Sequence, residues 1–132
     1  MEKTLVIIKP DGIERGLMGE IISRYEKKGL KIADCKMIEA DKETLKRHYV
    51  EHKGKSFYED LIIYMTRGKV FVMIIEGSNA IQIIRKLHGK TNPLEAEVGT
   101  IRGEFANSVT ENIVHASDSK DSAEREISIW FS

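Results

Sequence analysis

The sequence is poor in residues that cross-link or stiffen a chain. Its 132 residues include one cysteine, Cys35, and two prolines. A single cysteine cannot close a disulfide within the chain, and no pair of cysteines is available for a zinc cage. These absences exclude a disulfide scaffold, a zinc ribbon and a proline-rich tract, and they are typical of proteins from a reducing compartment.

Long apolar runs and an excess of one charge are also absent. The longest apolar stretch, Val70 to Ile75, is too short for a signal sequence or a membrane span. The 21 Lys and Arg residues balance the 21 Asp and Glu residues. Proteins that bind nucleic acid or anionic membranes without specificity normally carry a basic excess. We therefore expect one domain, residues 1–132, in the cytoplasm, with no membrane partner and no requirement for nucleic acid.

Hydrophobic periodicity predicts a strand at each of four places. The predicted strands are Leu5–Ile8, 33–38, Val70–Ile75 and Asn112–Ala116. In the second of them Ala33, Cys35 and Met37 alternate with a largely polar outer face. The third is too apolar for an edge and is predicted to be central.

Helical spacing fills the segments between the strands. Leu17, Met18, Ile21, Ile22 and Tyr25 recur on one helix face that Gly29 terminates. Asp41, a capping box at 56–59, Ser78 or Asn79, and Asp121 predict further helix starts, and 89–110 reads as a long functional loop. The helix after the capping box is expected to bury Phe57, Leu61, Tyr64 and Met65. This order predicts an α/β fold of the α+β sandwich class: a ferredoxin-like βαββαβ core whose four-stranded antiparallel sheet carries added helices and a long loop.

Three local motifs suggest other functions and are weak. Gly89-Lys90-Thr91 resembles the end of a P-loop, but Ile84 stands where the leading glycine belongs and the motif follows a helix. His48 to His52 fits the H-x-x-E-H zinc pattern, with no third ligand marked. Residues 67–74 match part of an RNA-recognition signature, but the first strand has no aromatic residue for the stacking platform. We expect no protein ligands for a metal ion.

The segment from Asn112 to Ser119 carries more chemical information. His115 ends a short strand, and a Ser-Asp-Ser turn leads into a helix whose first N–H groups favour anions. A neutral imidazole has one free lone pair and can act as a base, a metal ligand or a nucleophile. Glu126 lies beside the buried stripe of that helix, from which it can turn back and fix the tautomer of His115.

Motifs along the whole chain resemble one family in order and without a large gap. They are Lys9-Pro10-Asp11-Gly12, Arg15-Gly16-Leu17, His48-Tyr49, Thr91-Asn92-Pro93, Gly99-Thr100-Ile101-Arg102-Gly103, Asn112 to Ser119, and Glu126 to Phe131. Together they closely resemble nucleoside diphosphate kinase. The resemblance implies transfer of the terminal phosphate of a nucleoside triphosphate to a diphosphate, by ping-pong chemistry through a phosphohistidine.

The resemblance also implies a role for each residue of the reaction centre. His115 matches the nucleophile, and Glu126 matches the residue that holds its other ring nitrogen. Lys9 and Asn112 match the pair at the sugar 3′-hydroxyl, with Lys9 also offsetting charge on the transferring phosphate. Tyr49 matches a supporter of Lys9 and of the phosphate site.

The rest of the implied site binds the nucleotide. Arg85, Thr91 and Arg102 match the phosphate ligands. Phe57 matches the aromatic residue that stacks on the base, and Leu61 and Val109 line the same slot. Such stacking is tolerant of base identity. Mg²⁺ is expected to be held mainly by the phosphates and water, and the chain is expected to form a homo-oligomer, a tetramer or hexamer built from dimers.

Four departures from the family pattern bear on these expectations. Ala116 replaces the usual glycine after the nucleophile, Val98 a usual proline and Ser56 a common proline, and the sequence given stops soon after Phe131. The last leaves tetramer and hexamer both open. The alternative from another class is a non-catalytic nucleotide- or RNA-binding module on the same fold, which needs no nucleophile at position 115.

Overall fold

A computed structural model of the protein describes residues 1–131, and these contain one four-stranded antiparallel sheet. The strands are β1 (Glu2–Ile8), β2 (Lys31–Glu39), β3 (Lys69–Gly77) and β4 (Val114–Ala116). Their spatial order is β2-β3-β1-β4. This order, with helices between the strands, confirms the predicted α+β fold with its ferredoxin-like core.

Within residues 1–131, seven α-helices connect or cover the strands. They are α1 (Pro10–Glu14), α2 (Met18–Lys27), α3 (Lys42–His48), α4 (Tyr58–Met65), α5 (Ala80–His88), α6 (Ile101–Phe105) and α7 (Lys120–Trp130). A 3₁₀ turn, Val50–His52, follows α3, and α6 lies inside the segment that the sequence reads as a loop. None of the helices within residues 1–131 is both long and apolar enough to cross a membrane.

Helices cover both faces of the sheet, which is why the central strands are continuously apolar. In β1, Leu5 and Ile7 pack with residues of α3, α4 and α7, whereas Val6 and Ile8 pack with residues of α2, α5 and α6. Side chains of a strand alternate between faces, so both sets are buried. His115 lies between the core residues Val114 and Ala116 and therefore points to the α7 side of the sheet.

The predicted facing of β2 is wrong. Ala33, Cys35 and Met37 are exposed, and the partly buried side chains include Ile32 and Ile38. β2 is an edge strand, and its pairing with β3 shifts register between Ile32 and Asp34. Ile32 packs with the core on the α2 side of the sheet and Ile38 with the core on the α4 side, so the irregularity moves the partly buried set from one face of the sheet to the other.

The predicted capping box at 56–59 is also wrong. α4 begins at Tyr58 after Phe57, which makes no capping hydrogen bond through its side chain. The buried side of α4 includes Tyr58, Ile62 and Met65, while Phe57 is 42% exposed. Tyr64 and Met65 of the predicted stripe are buried, whereas Phe57 precedes the helix and lies at the surface.

The remaining helix starts agree only in part with the predicted caps. Asn79 precedes α5 but makes no capping hydrogen bond through its side chain. Asp41 accepts a hydrogen bond from the Thr44 amide at 2.8 Å, which confirms its predicted cap. For α7 the cap is Ser119, not Asp121: the Ser119 hydroxyl accepts from the Ser122 amide at 3.1 Å. Several consecutive polar residues can each cap this helix, and the turn after β4 selects the earlier one.

Candidate active site

A cleft of about 430 Å³ opens where the ends of β1 and β4 meet the segments after α3 and α5. Every site residue predicted from the sequence lines it. They are Lys9, Tyr49, Phe57, Leu61, Arg85, Thr91, Arg102, Val109, Asn112, His115 and Glu126. The structure thus brings together side chains that are more than one hundred residues apart in the chain.

His115 is held by the carboxylate on α7. Its Nε2 lies 2.9 Å from Glu126 Oε1, and the Ser117 hydroxyl donates to the same oxygen at 2.8 Å. Burial raises the pKa of Glu126, but the hydrogen bonds and charge of its partners outweigh burial and leave the pKa below its usual value. An ionised Glu126 accepts the Nε2–H of His115, so the lone pair of that ring lies on Nδ1.

Lys9 follows β1 and is placed beside the chain that leads into β4. Its Nζ donates to Asn112 Oδ1 at 2.8 Å, and its main-chain amide donates to the Ile113 carbonyl at 2.8 Å. Burial, and then the charge of Arg102, lower the pKa of Lys9 to about 7, although Asp11 acts in the opposite direction. An anion that enters the cleft relieves both effects and favours the charged form.

Two arginines extend the positive charge of the cleft. Arg102 is 8% exposed and donates to the main-chain carbonyls of Gly89 at 2.9 Å and Val114 at 2.6 Å. Burial, followed by the charge of Arg85, lowers the pKa of Arg102 to about 10. Arg85 is exposed on α5 and lines the same cleft. Arg102 remains charged at neutral pH. Guanidinium groups suit phosphate oxygens.

The turn before His115 has a strained backbone. Ile113 has φ +77°, in the left-handed region that a β-branched residue rarely adopts. This turn lies between Asn112, which contacts Lys9, and β4, which carries His115. Strain of this kind persists where surrounding contacts fix the chain, and it is concentrated at functional sites.

Apolar side chains line one side of the cleft entrance. Phe57 is 42% exposed and Val109 is 58% exposed, while Leu61 is half-buried. The His52 ring stands against Phe57 at a centroid distance of 5.3 Å. Exposed apolar rings beside a cationic cleft form a slot for a flat, weakly polar group.

The sequence analysis missed His48 and His88 as lining residues. Both are buried, and burial lowers their pKa well below the usual histidine value. His48 Nδ1 accepts from Trp130 Nε1 at 3.1 Å, and His88 Nε2 lies 2.5 Å from the Tyr25 hydroxyl. These partners are tens of residues away, so no local sequence signal indicates them.

The H-x-x-E-H pattern does not form a two-histidine helix face. α3 ends at His48, and His52 belongs to the following 3₁₀ turn. The three groups that do come together are His48, His115 and Glu126, each with one ligand-type atom within 4.8 Å of the others. This is a set of metal-ligating residue types that the sequence pattern did not indicate.

Comparisons with known proteins agree with this geometry. Residues 2–132 match the profile of the family described as nucleoside diphosphate kinase. The nucleoside diphosphate kinase of Methanocaldococcus jannaschii is 57% identical over 130 residues, which are 98% of this chain and 93% of that protein.

Solved structures have the same fold. An apo nucleoside diphosphate kinase from Encephalitozoon cuniculi has a TM-score of 0.97 at 43% identity and covers 99% of this chain and 89% of its own. A halophilic nucleoside diphosphate kinase from Halobacterium salinarum, in complex with CDP, also has a TM-score of 0.97 at 43% identity, over 99% of this chain and 88% of its own.

A protein with this fold and this cationic, histidine-containing cleft is a nucleotide phosphotransferase. The chain belongs to the nucleoside diphosphate kinase family. Its function is the transfer of phosphate between nucleotides, and the non-catalytic binding module is not favoured.

Proposed function

We propose that Nδ1 of His115 accepts the terminal phosphate of a nucleoside triphosphate and then passes it to a nucleoside diphosphate. The observation that carries this proposal is the bond between His115 Nε2 and Glu126 Oε1 at 2.9 Å. It occupies one ring nitrogen and leaves the other with a lone pair. A nucleophile held in one tautomer beside several cations is suited to phosphoryl transfer.

Phosphorylation of His115 needs no proton transfer from Nδ1, because that nitrogen carries a lone pair and no hydrogen. The Nδ1 lone pair forms a bond to the terminal phosphorus while the bond from that phosphorus to the bridging oxygen breaks. The diphosphate leaves with the electron pair, and the ring retains its Nε2 proton against Glu126. A second diphosphate attacks the phosphohistidine in the reverse sense, which gives ping-pong kinetics.

Three groups of residues support that step. Arg85, Arg102 and Thr91 bind the phosphates, and Lys9 offsets the charge on the transferring phosphate. Lys9 and Asn112 contact the sugar 3′-hydroxyl; their mutual bond of 2.8 Å fixes both side chains in the cleft. The buried Tyr49 hydroxyl has no hydrogen-bond partner among residues 1–131, so it is available to the phosphate site.

Mg²⁺ fits this cleft as a partner of the nucleotide. The carboxylate of Glu126 is engaged by His115 and Ser117, and the remaining lining carboxylates, Glu51 and Asp118, are exposed. A hard cation that prefers oxygen would therefore be held mainly by the phosphates and water, with Asp118 and Glu51 as the exposed carboxylates that line the cleft. When bound, Mg²⁺ supplies positive charge to the phosphate oxygens.

The base is bound by shape and stacking. Phe57 stacks on one face, and Leu61 and Val109 complete the slot. These three side chains offer no hydrogen-bond donor or acceptor to a base edge, which supports a broad base specificity.

The assembly is proposed to be a homo-oligomer built from dimers, either a tetramer or a hexamer, of single-domain subunits in the cytoplasm. The exposed outer edge of β2 supports this, because an unpaired strand edge is a ready surface for a second chain. Light scattering coupled to size exclusion tests it, and a monomer at micromolar concentration contradicts it.

The phosphohistidine is tested with ATP labelled on its terminal phosphate, Mg²⁺ and no acceptor. We expect protein-bound label that is acid-labile, alkali-stable and released by a nucleoside diphosphate. The His115→Ala variant should take up no label. Because all four histidines of the chain line the cleft, the labelled residue is also mapped by mass spectrometry under alkaline conditions.

A separate measurement of ATP binding is the control for an absence of label on the wild-type protein. Wild-type protein that binds ATP, shown by calorimetry, and takes up no label contradicts the proposed step. Label that persists in His115→Ala assigns the nucleophile to another residue and contradicts the role of His115.

A further inference from the structure

His48 is the buried group nearest to the nucleophile that the proposed function leaves without a role. Its ring centroid lies 4.5 Å from that of His115, with the two planes at 75°. It is 4% exposed and lines the cleft. Its Nδ1 accepts a hydrogen bond from Trp130 Nε1 at 3.1 Å, across the α3–α7 contact.

This hydrogen bond determines where the proton of His48 lies. An indole N–H is a donor only, so the atom that receives it must carry a lone pair. Nδ1 of His48 is therefore unprotonated, and a neutral ring has its hydrogen on Nε2. Protonation of the ring at Nδ1 would place two N–H groups against each other, and the Trp130 bond would be lost.

The same bond removes His48 from the metal-ligating set. His48, His115 and Glu126 bring their ligand atoms within 4.8 Å of one another, and two histidines with a glutamate form a known zinc donor set. A histidine ligand binds through a lone pair and donates its other N–H to an acceptor. Trp130 cannot accept, so the remaining nitrogen of His48 carries a hydrogen and offers no lone pair to an ion.

The surroundings of His48 also oppose a positive charge on it. Burial is the main cause that lowers its pKa, and positive charge facing it adds to the effect. The facing groups are His115 on β4, Arg125 on α7, Lys9 after β1 and His52 on the 3₁₀ turn. Glu126, also on α7, is ionised, and its Oε1 is engaged by hydrogen bonds from His115 and Ser117.

We propose that Trp130 is a positioning residue for phosphoryl transfer, which holds His48 as a neutral Nε2–H tautomer. In that state His48 packs against His115 without adding a cation beside the nucleophile and without closing a zinc site over it. The functional part of this inference rests on the proposed role of His115; the tautomer itself does not.

The tautomer is tested on the wild-type protein by NMR of ¹⁵N-labelled histidine. We expect His48 to show an unprotonated Nδ1 and a protonated Nε2, unchanged from neutral pH to mildly acidic pH. A protonated Nδ1, or a charged His48 ring at neutral pH, overturns the proposal. This readout needs no catalysis, so it stands or fails separately from the role of His115.

The effect of Trp130 on zinc binding and on phosphorylation is tested with the Trp130→Phe variant, which lacks the indole N–H donor. We expect zinc, titrated into nucleotide-free protein against a chromophoric chelator, to bind about tenfold more tightly than to wild type. We also expect the acid limb of the pH profile for His115 phosphorylation to shift to higher pH than in wild type. In the variant, His48 can be protonated at either nitrogen. Purely structural damage lowers the rate without producing either change.

His48→Asn is the matched control. Its Oδ1 can accept from Trp130 in place of Nδ1, and an amide neither titrates nor offers an imidazole lone pair. Added to Trp130→Phe, it should abolish the extra zinc affinity and the shift in the acid limb. If the double variant keeps both changes, or if Trp130→Phe binds zinc no better than wild type, the proposal is wrong. If Trp130→Phe does not fold, the tautomer measurement decides alone.

Discussion

The core of the sheet and the cleft bury different kinds of side chain. The two faces of the sheet bury apolar side chains such as Leu5, Ile7 and Ile75. The cleft contains six of the nine buried polar or charged residues among residues 1–131. Those six are Lys9, His48, His88, Arg102, Asn112 and Glu126.

The difference separates stability from function. Burial of apolar surface stabilises the fold, whereas buried charges cost desolvation that their partners offset only in part. The pKa of Lys9, lowered to about 7, expresses that cost directly. The sheet core therefore supports the cleft and holds its buried charged groups in fixed positions.

Among variants that retain His115, the largest effect on activity is expected from Lys9→Met. It removes a pre-organised cation while keeping side-chain length, and we expect kcat/KM to fall about a hundred- to a thousandfold. The free energy of unfolding should not fall, since a desolvated charge is removed. Steady-state kinetics and urea unfolding measure both. Lys3→Met is the control, because Lys3 is exposed on β1, the strand that precedes Lys9, and its replacement should change neither.

Ile75→Ala should produce the opposite result. Ile75 is fully buried on β3 and does not line the cleft. We expect its truncation to lower the free energy of unfolding by about 2–5 kcal/mol. The kcat of the folded protein should stay close to wild type at low temperature. A large loss of kcat without loss of stability would show that core and cleft are not separable.

Activity and stability should depend on pH in opposite directions through Lys9. Because the active form of Lys9 is charged, kcat/KM should fall about tenfold per pH unit above its pKa of about 7. The pKa of Lys9 is lower in the folded than in the unfolded state, so the folded state binds fewer protons between pH 7 and 10.5. The Lys9 contribution to stability should therefore rise with pH in that window.

The control for this pH profile is Lys9→Arg, which keeps its charge throughout. Its kcat/KM should be flatter between pH 7 and 9 than that of wild type. A wild-type profile that is flat in this range contradicts the account of Lys9.

The smallest effect is expected from Phe57→Ala. Loss of one stacking surface should raise the KM for nucleotides about tenfold, with similar changes for all bases. Stability should hardly change, because Phe57 is 42% exposed. Ile63→Ala, on the exposed side of the same helix, is the matched control. A change confined to one base would contradict recognition by stacking.

The sequence predicted most of the cleft because its residues belong to motifs that resemble one family in order. Helix geometry alone also placed Glu126 where it can reach His115. The facing of β2 was not predictable, because an edge strand lacks a dominant apolar face and a bulge reverses the alternation. The contact between His48 and Trp130 was not predictable either, since 82 positions separate them and no local pattern encodes the pairing.

The central claim is that Nδ1 of His115 carries the phosphate because Glu126 occupies Nε2. The most direct test is ³¹P and ¹⁵N NMR of the protein phosphorylated by ATP and Mg²⁺, kept at alkaline pH. We predict a single phosphohistidine, attached through Nδ1 of residue 115. Phosphate on Nε2 of that ring, or on another residue, would contradict the account.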